Sequence, residues 1–489
     1  MIHQWPEKTK SVAEMSDRLK KQLEDSKNQT WPGRFTKWGG DKTKKLTRGS
    51  GFFKTYYDNK RWWLIDPEGY AFWSAGLDCI RVDTDAAYNQ LESALTFLPG
   101  TDSEYAEIYQ PPRKESSVKL INYLAANFIR TFGKEGWREK WASIALSEMK
   151  KMRFNTVGNW SEYEYAARVS FPYTIPMRFE PTRVKLIYRD FPDVFAPQFS
   201  ADAEEYASIL KVTANDPALI GYFLMNEPQW AFSSELPAEG MLYNTRECET
   251  KKALVEFLKN KYKDDGALSA AWGVQTGFNA IEGDTWKTRF PEGALADLQE
   301  FSSIMSEKYF TVISEACRKI DPNHLNLGIR YAGVPPEWAA KSMKAFDVFS
   351  INSYTEKVPK NVTERINEML GMPTIVGEWH FGALDVGLPF SGIGHLKNQQ
   401  DRAKAYRIYF EDAAANPNCI GVHWFTLYDE SAIGRFDGEA YNIGFLDVCN
   451  KPYNEMSMAA IQSHERMYDL AAGKTEPFFE KLEYLPLLF

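Results

Sequence analysis

Eight apolar, β-prone runs recur along this chain, and most of the intervals between them read as amphipathic helix. The runs cover residues 71–80, 154–160, 173–180, 219–227, 325–332, 346–354, 373–379 and 420–429. Between them lie segments such as GWREKWASIALSEMKKM (136–152), SADAEEYASILKVTA (200–214) and LQEFSSIMSEKYFTVISEACRKI (298–320). Strand–helix alternation requires parallel strands joined by crossovers, and strands apolar on both faces must be covered on both sides. Eight such units predict an α/β fold of the (β/α)8 TIM-barrel type. A doubly wound open sheet is the competitor. It is disfavoured because no G-x-G-x-x-G follows the first run and no Walker A loop occurs.

The chain of 489 residues suits one barrel-sized domain with additions rather than three small domains. Residues 1–50 are polar and predict a short N-terminal extension packed on the barrel, with a helix in SVAEMSDRLKKQLEDS (11–26). Residues 51–465 form the expected barrel, and 466–489 a C-terminal tail. From Gly51, β-prone stretches divided by Asp58-Asn59 and Asp66-Pro67-Glu68-Gly69 predict a hairpin feeding the first strand. Long inserts, 83–135 and 229–300, follow the first and fourth runs. Both fall on the side where barrel active sites are built, and they are expected to wall a cleft.

The net charge of −8, with no basic run, disfavours nucleic acid as a partner. Five scattered cysteines make no disulfide framework and no C-x-x-C. The start MIHQWPEKTKSVAEM lacks an apolar export core, and no run approaches a membrane span. That leaves the cytoplasm, periplasm and exterior all open, and it leaves the oligomeric state open too. Aromatics stand out at 15%, with 15 Trp. Most belong to a large core, and a minority can serve as stacking platforms in a cleft.

In a barrel, polar residues at the carboxyl ends of strands face the mouth. The fourth run, GYFLMNEPQW (221–230), ends in Asn226-Glu227, and the seventh ends in Glu378. These two strands stand almost opposite each other. Paired carboxylates suit glycoside cleavage, in which one acid protonates the leaving oxygen and the other attacks the anomeric carbon. Proximity of like charges raises one pKa, so that both forms coexist near neutrality. The expected roles are Glu227 as acid/base and Glu378 as nucleophile, about 5 Å apart. Asn226 is expected to bind the sugar 2-hydroxyl and Tyr354 to orient Glu378. Trp424 is expected to stack under a ring, and Arg330 and His380 to bind hydroxyls or tune the nucleophile. Asn352 is a further strand end facing the mouth, and the others, Asp78, Asn159 with Trp160, and His423, join the substrate-binding candidates together with Trp230.

Other chemistries lack their residues. The six His (His3, His324, His380, His395, His423, His464) are dispersed and none lies in the first run, so no metal or cofactor is predicted. No G-x-S-x-G elbow occurs, and no strand end supplies a Schiff-base Lys. A catalytically silent sugar-binding barrel, a lyase and a transferase remain as rivals.

The Asn-Glu and Glu pair resembles that of clan A retaining glycoside hydrolases. GEWHFGALDVGLPFSG (377–392) and GVHWFTLYDESAIGRFDGEAYNIGFLDV (421–448) are similar to segments of glycoside hydrolase family 50 β-agarases. So are LGIRYAG, DVFSINSY and WWLIDPEGYAFWSAG, and the likeness runs from about Gly51 to Tyr453. It implies a retaining hydrolase of β-linked galactosyl poly- or oligosaccharides, with Glu227 and Glu378 in the roles above. Pro228 after the acid and the lack of room for a large N-terminal carbohydrate-binding module depart from that family. ALVEFLKNKYKDDGALSAAWG (253–273) resembles an insert of family 42 β-galactosidases. A β-galactosidase or another clan A activity therefore stays open.

Overall fold

The computed structural model describes residues 5–82, 84–110 and 117–485. Small parts of the expected extension, first insert and tail, together with His3, lie outside these. Four short strands, β1 (Asp41–Lys45), β2 (Lys54–Tyr57), β3 (Trp62–Ile65) and β4 (Tyr70–Phe72), form an antiparallel sheet in the order β1-β4-β3-β2. Two steps further the chain enters β5 (Ser74–Leu77), the first strand of the main sheet. The turn expected at 66–69 forms: Asp66 accepts from Glu68 N and Tyr70 N, each at 3.0 Å, and Gly69 takes φ +95°.

The main sheet continues with β6 (Thr156–Val157), β7 (Tyr173–Pro176), β8 (Leu219–Phe223), β9 (Leu325–Asn326), β10 (Tyr331–Ala332), β11 (Phe349–Asn352), β12 (Thr374–Trp379) and β13 (Cys419–Trp424). All its pairings are parallel, in the order β9-β8-β7-β6-β5-β13-β12-β11-β10. Both edge strands belong to the single run 325–332, so the curled sheet starts and ends on the same stretch of chain. Gly328 at φ +81° and Arg330 at φ +46° bend that run. Its first half therefore bonds β8 (Leu224 N to Gly328 O, 2.8 Å), and its second half bonds β11 (Arg330 N to Ser350 Oγ, 2.8 Å). The fold is a mixed α/β architecture consistent with a TIM-type barrel.

Helices cover the sheet. Helix α1 (Val12–Ser26) is capped by Ser11, whose hydroxyl accepts from Glu14 N at 3.1 Å, and it buries Met15 and Leu19. Further on come α2 (Trp137–Lys151), α3 (Glu292–Ile320), α4 (Gln399–Ala415) and α5 (Asn454–Ala471). Helix α5 runs through the expected boundary at 465/466. Its apolar face, including Met456, Ala460 and Met467, stays buried to Ala471. Arg61 binds the open carbonyls at the ends of both α4 and α5, Ala414 O at 2.8 Å and Ala471 O at 2.7 Å, and so ties the small sheet to the helical layer.

The segment expected as the first insert contains a three-stranded antiparallel sheet (85–87, 109–110, 120–122) and a helix at Tyr123–Phe132. The second is helical, with Pro237–Asn244, Glu249–Tyr262, Asp265–Trp272 and Phe278–Gly283 preceding α3. Cys248, Cys317, Cys419 and Cys449 are free. Among the described residues, no helix is long and apolar enough to cross a membrane.

Candidate active site

Strand pleating decides which side chains reach the mouth of the sheet. Along β12, Glu378 faces the mouth, while its neighbour Trp379 turns outward and stacks on Tyr409 of α4 (4.1 Å between ring centres, 8° between planes). Glu227 lies just past β8, Asn352 ends β11, Tyr354 follows it, and Trp160 stands beyond β6. A cleft of about 750 Å³ opens here, lined by Trp160, Asn226, Glu227, Asn352, Tyr354, Glu378 and His380, among others. This volume suits a sugar-sized ligand.

Three donors converge on Glu378. Trp160 Nε1 gives Oε1 a hydrogen bond at 3.1 Å, Arg330 Nη2 meets the same oxygen at 2.9 Å, and the Tyr354 hydroxyl donates to Oε2 at 2.8 Å. Burial and the charge of Glu378 lift the Tyr354 phenol well above its ordinary value, so it remains a donor. Among the described residues Glu227 has one side-chain donor, Asn352 Nδ2 at 2.9 Å, and that amide also reaches Asn226 Oδ1 at 3.2 Å. Burial raises the Glu227 carboxyl, the Glu378 charge raises it further, and Asn352 and Arg330 oppose both.

Trp160 (φ +61°), Glu227 (φ +44°) and Arg330 (φ +46°) all hold left-handed backbone conformations. For residues with a Cβ such conformations cost roughly 1–3 kcal/mol each, and they gather where a site over-determines the backbone. Glu227 N is fixed in this geometry by donating to Arg330 O at 3.2 Å.

Two of the expected residues form a layer beneath the cleft floor. Arg330 and Asp78 are fully buried and paired at 2.7 Å. Burial opposes both charges. The Glu378 and Asp78 charges overcome it for Arg330, which sits above its ordinary value, whereas burial lifts Asp78 above its own despite Arg330. The short contact is that of an ion pair, and it argues for an ionised Asp78. His380 lines the cleft as a neutral ring, because burial and the nearby Arg402 push it down to about 3. Its Nε2 accepts from Ile393 N at 2.9 Å.

Four other expected binding residues do not reach the cleft. Trp424 points away from the sheet interior into the helical layer, at 4.7 Å from Trp379 and 5.3 Å from Tyr406, and donates to Ile443 O at 2.9 Å. It is a core residue and not a stacking platform, and truncating such a Trp costs about 3–5 kcal/mol. Its neighbour His423 points inward but sits below the mouth, bonded to Ser74 Oγ at 2.9 Å and neutral, since burial pushes it down to about 3. Trp230 is packed among Phe191, Phe310, Tyr331 and Trp338. Asn159 is buried under the floor, where Oδ1 accepts from Thr174 Oγ1 at 3.3 Å.

The structure also adds cleft residues absent from the expected set: Phe425, Arg435, Phe436, Glu439 and Tyr441. They come from the 425–441 loop, where no periodicity marks which side chain turns inward. Arg435 organises that loop by pairing with Glu430 at 3.0 Å, with Asp437 at 2.9 Å and with Glu439.

No family model matches the chain. It is 31% identical to β-agarase B of Vibrio sp. (strain JT0107), over 96% of this chain and 54% of that protein. It is 29% identical to β-agarase A of the same organism, over 83% of this chain and 45% of the relative. The chain thus spans about half the length of these curated relatives. Among solved structures, PfGH50B superposes with a TM-score of 0.88 at 28% identity, covering 96% of this chain and 73% of that one. An exo-β-agarase gives 0.88 at 27% identity, covering 96% and 71%. The homologues of this chain are therefore β-agarases, with glycoside hydrolase family 50 structures among its neighbours.

Proposed function

We propose that this chain is a retaining β-glycoside hydrolase that cleaves β-linked galactosyl units of agar-type poly- or oligosaccharides. The observation that carries the reading is the unequal pair of carboxylates, Glu227 and Glu378, opening on one cleft. The agarase homologues supply the substrate class, and the adjoining pocket favours a chain of sugars over one ring. That pocket, about 340 Å³, shares Glu439 and Tyr441 with the cleft and adds Phe390 and Leu384. We read the architecture as a (β/α)8 barrel whose fifth strand is the broken run 325–332. The extension before residue 51 packs on it, and inserts follow its first and fourth strands.

In the first step Glu378 attacks the anomeric carbon, the glycosidic C–O bond breaks, and the leaving oxygen takes the proton of Glu227. Tyr354 and Trp160 hold Glu378 in line for that attack. In the second step Glu227 takes a proton from water, the water oxygen attacks the anomeric carbon, and Glu378 leaves as a carboxylate. Residues Asn226, Asn352 and His380 are placed to bind sugar hydroxyls. The chemistry requires the two acids about 5 Å apart, close enough for direct attack.

Nuclear magnetic resonance of the first product formed from agarose oligosaccharides tests the reading. Retention predicts the β-anomer before mutarotation, and an initial α-anomer overturns it. Binding without release of reducing ends points to a silent sugar-binding barrel instead.

A further inference from the structure

Arg330 presents one guanidinium nitrogen, Nη2, to three acceptors: Asp78 Oδ2 at 2.7 Å, Gly377 O at 2.5 Å and Glu378 Oε1 at 2.9 Å. A nitrogen with two protons cannot satisfy three acceptors fully, so the two carboxylates compete for it. Its other nitrogens, Nε and Nη1, are buried with no hydrogen-bond partner among the described residues. The cation therefore depends on its two anions.

The anions differ in access. Glu378 opens on the cleft, whereas Asp78 is sealed beneath it, with Oδ1 also lacking a hydrogen-bond partner. Near Oδ1 stand His423 Nδ1 at 3.8 Å and the Gly158 backbone, where a Cβ would come within 2.0 Å of that oxygen. The site keeps Asp78 in place by leaving room for nothing larger than glycine beside it.

On the proposed reaction, on which this inference rests, the first step removes one of the two anions. Glu378 enters as a carboxylate and becomes a neutral ester, and its negative charge departs into the leaving group, which Glu227 protonates. A buried guanidinium left without a counter-ion is strongly disfavoured. We propose that Asp78 is a positioning residue that acts through Arg330, the sealed anion that keeps the cation paired while Glu378 is spent as an ester. No proton needs to move at Asp78 in either step. Its removal has a directional consequence. With an uncharged residue at 78, Arg330 binds the Glu378 carboxylate more tightly before attack and after it keeps no direct partner, the charge having passed to the more distant Glu227. Ester formation slows, while ester hydrolysis, which restores the carboxylate, does not.

A 2-deoxy-2-fluoro-β-galactosyl fluoride and its disaccharide extension separate the two steps, since inactivation reads ester formation and reactivation reads hydrolysis. For Asp78→Asn, inactivation is expected to slow by roughly a hundredfold, the scale on which one preorganised charge acts at a reacting centre. Reactivation is expected to be unchanged or faster, and Asp78→Glu to recover part of the loss. Equal slowing of both steps, or no change in either, overturns the proposal. If Asp78→Asn fails to fold, Gly158→Ala displaces the same carboxylate without removing its charge. It should show the same one-sided slowing, and a two-sided slowing again overturns the idea. A wild-type protein that neither reagent labels at Glu378 refutes the retaining reading itself. Labelling with symmetrical variant kinetics refutes only the role of Asp78.

Discussion

Glu227 and Glu378 are the same residue type at strand ends of one sheet, yet their surroundings have little in common. Glu378 is gripped by Trp160, Tyr354 and Arg330, a cation and two neutral donors. Glu227 has a single amide donor and a more distant cation, and burial together with the Glu378 charge lifts it. A carboxylate held by donors suits attack, and a carboxyl short of donors suits proton delivery. On the proposed mechanism, position in the fold chooses the residues, and neighbours divide the labour between them.

The strongest attack on this contrast removes Glu378. Glu378→Ala is expected to lower kcat on the order of 10⁶-fold, the scale of losing a covalent nucleophile. Added azide should rescue it as an α-glycosyl azide, identified by NMR. Rescue as the β-azide would exchange the two roles. Glu227→Ala is expected to lose less, roughly 10²- to 10⁴-fold, because an activated leaving group departs without protonation. Aryl glycosides of falling leaving-group pKa should close the gap in the first step, and azide should then give the β-product. A loss independent of the leaving group would deny Glu227 the acid role.

Much of this contrast was legible in the sequence, because both acids interrupt apolar runs and a charge there needs a use. The eight runs likewise mark the parallel strands, since burial on both faces leaves no other composition. What stayed hidden depends on register and loops. Trp424 and His423 sit side by side, and a one-residue step in the pleat sends one to the helical layer and the other to the interior. A run of apolar and aromatic letters cannot report that parity, which is why a core Trp reads as a platform. The break of 325–332 into two strands turns on Gly328 and Arg330, and Arg330 is a residue whose left-handed backbone no propensity anticipates. The Arg435 loop carries no period at all, so the turn of Glu439 and Tyr441 into the cleft follows from its ion pairs and from the bonds that tie Tyr441 to Glu430 and Phe390.

A gentler probe trims the grip on Glu378 without removing the acid. Tyr354→Phe deletes one hydroxyl donor, at 2.8 Å from Oε2, and leaves the ring packed against His380 at 4.8 Å. A hydrogen bond to a charged group is worth about 1.5–3 kcal/mol, so kcat should fall roughly 10- to 100-fold with little change in thermal stability. Steady-state kinetics beside a melting curve distinguishes this from a packing defect. A large drop in Tm with kcat preserved would make Tyr354 a structural residue.

The smallest expected effect lies on the other side of the contrast and concerns pH. Asn352 donates to Glu227 and thereby favours its charged form, against burial and the Glu378 charge. Asn352→Ala removes that opposition, so the Glu227 carboxyl should hold its proton to higher pH. A general acid that keeps its proton longer moves the basic limb of the kcat/KM profile upward, since that limb records deprotonation of the free enzyme's acid. The acidic limb should stay where it is, since the Asn352 amide bonds Asn226 and Glu227. A profile measured on an aryl galactoside and on an agarose oligosaccharide separates the two limbs. A downward move of the basic limb, or a joint shift of both, would mean that Asn352 serves Glu378 or the pair as a whole. The division between a donor-poor acid and a donor-rich nucleophile would then have to be abandoned.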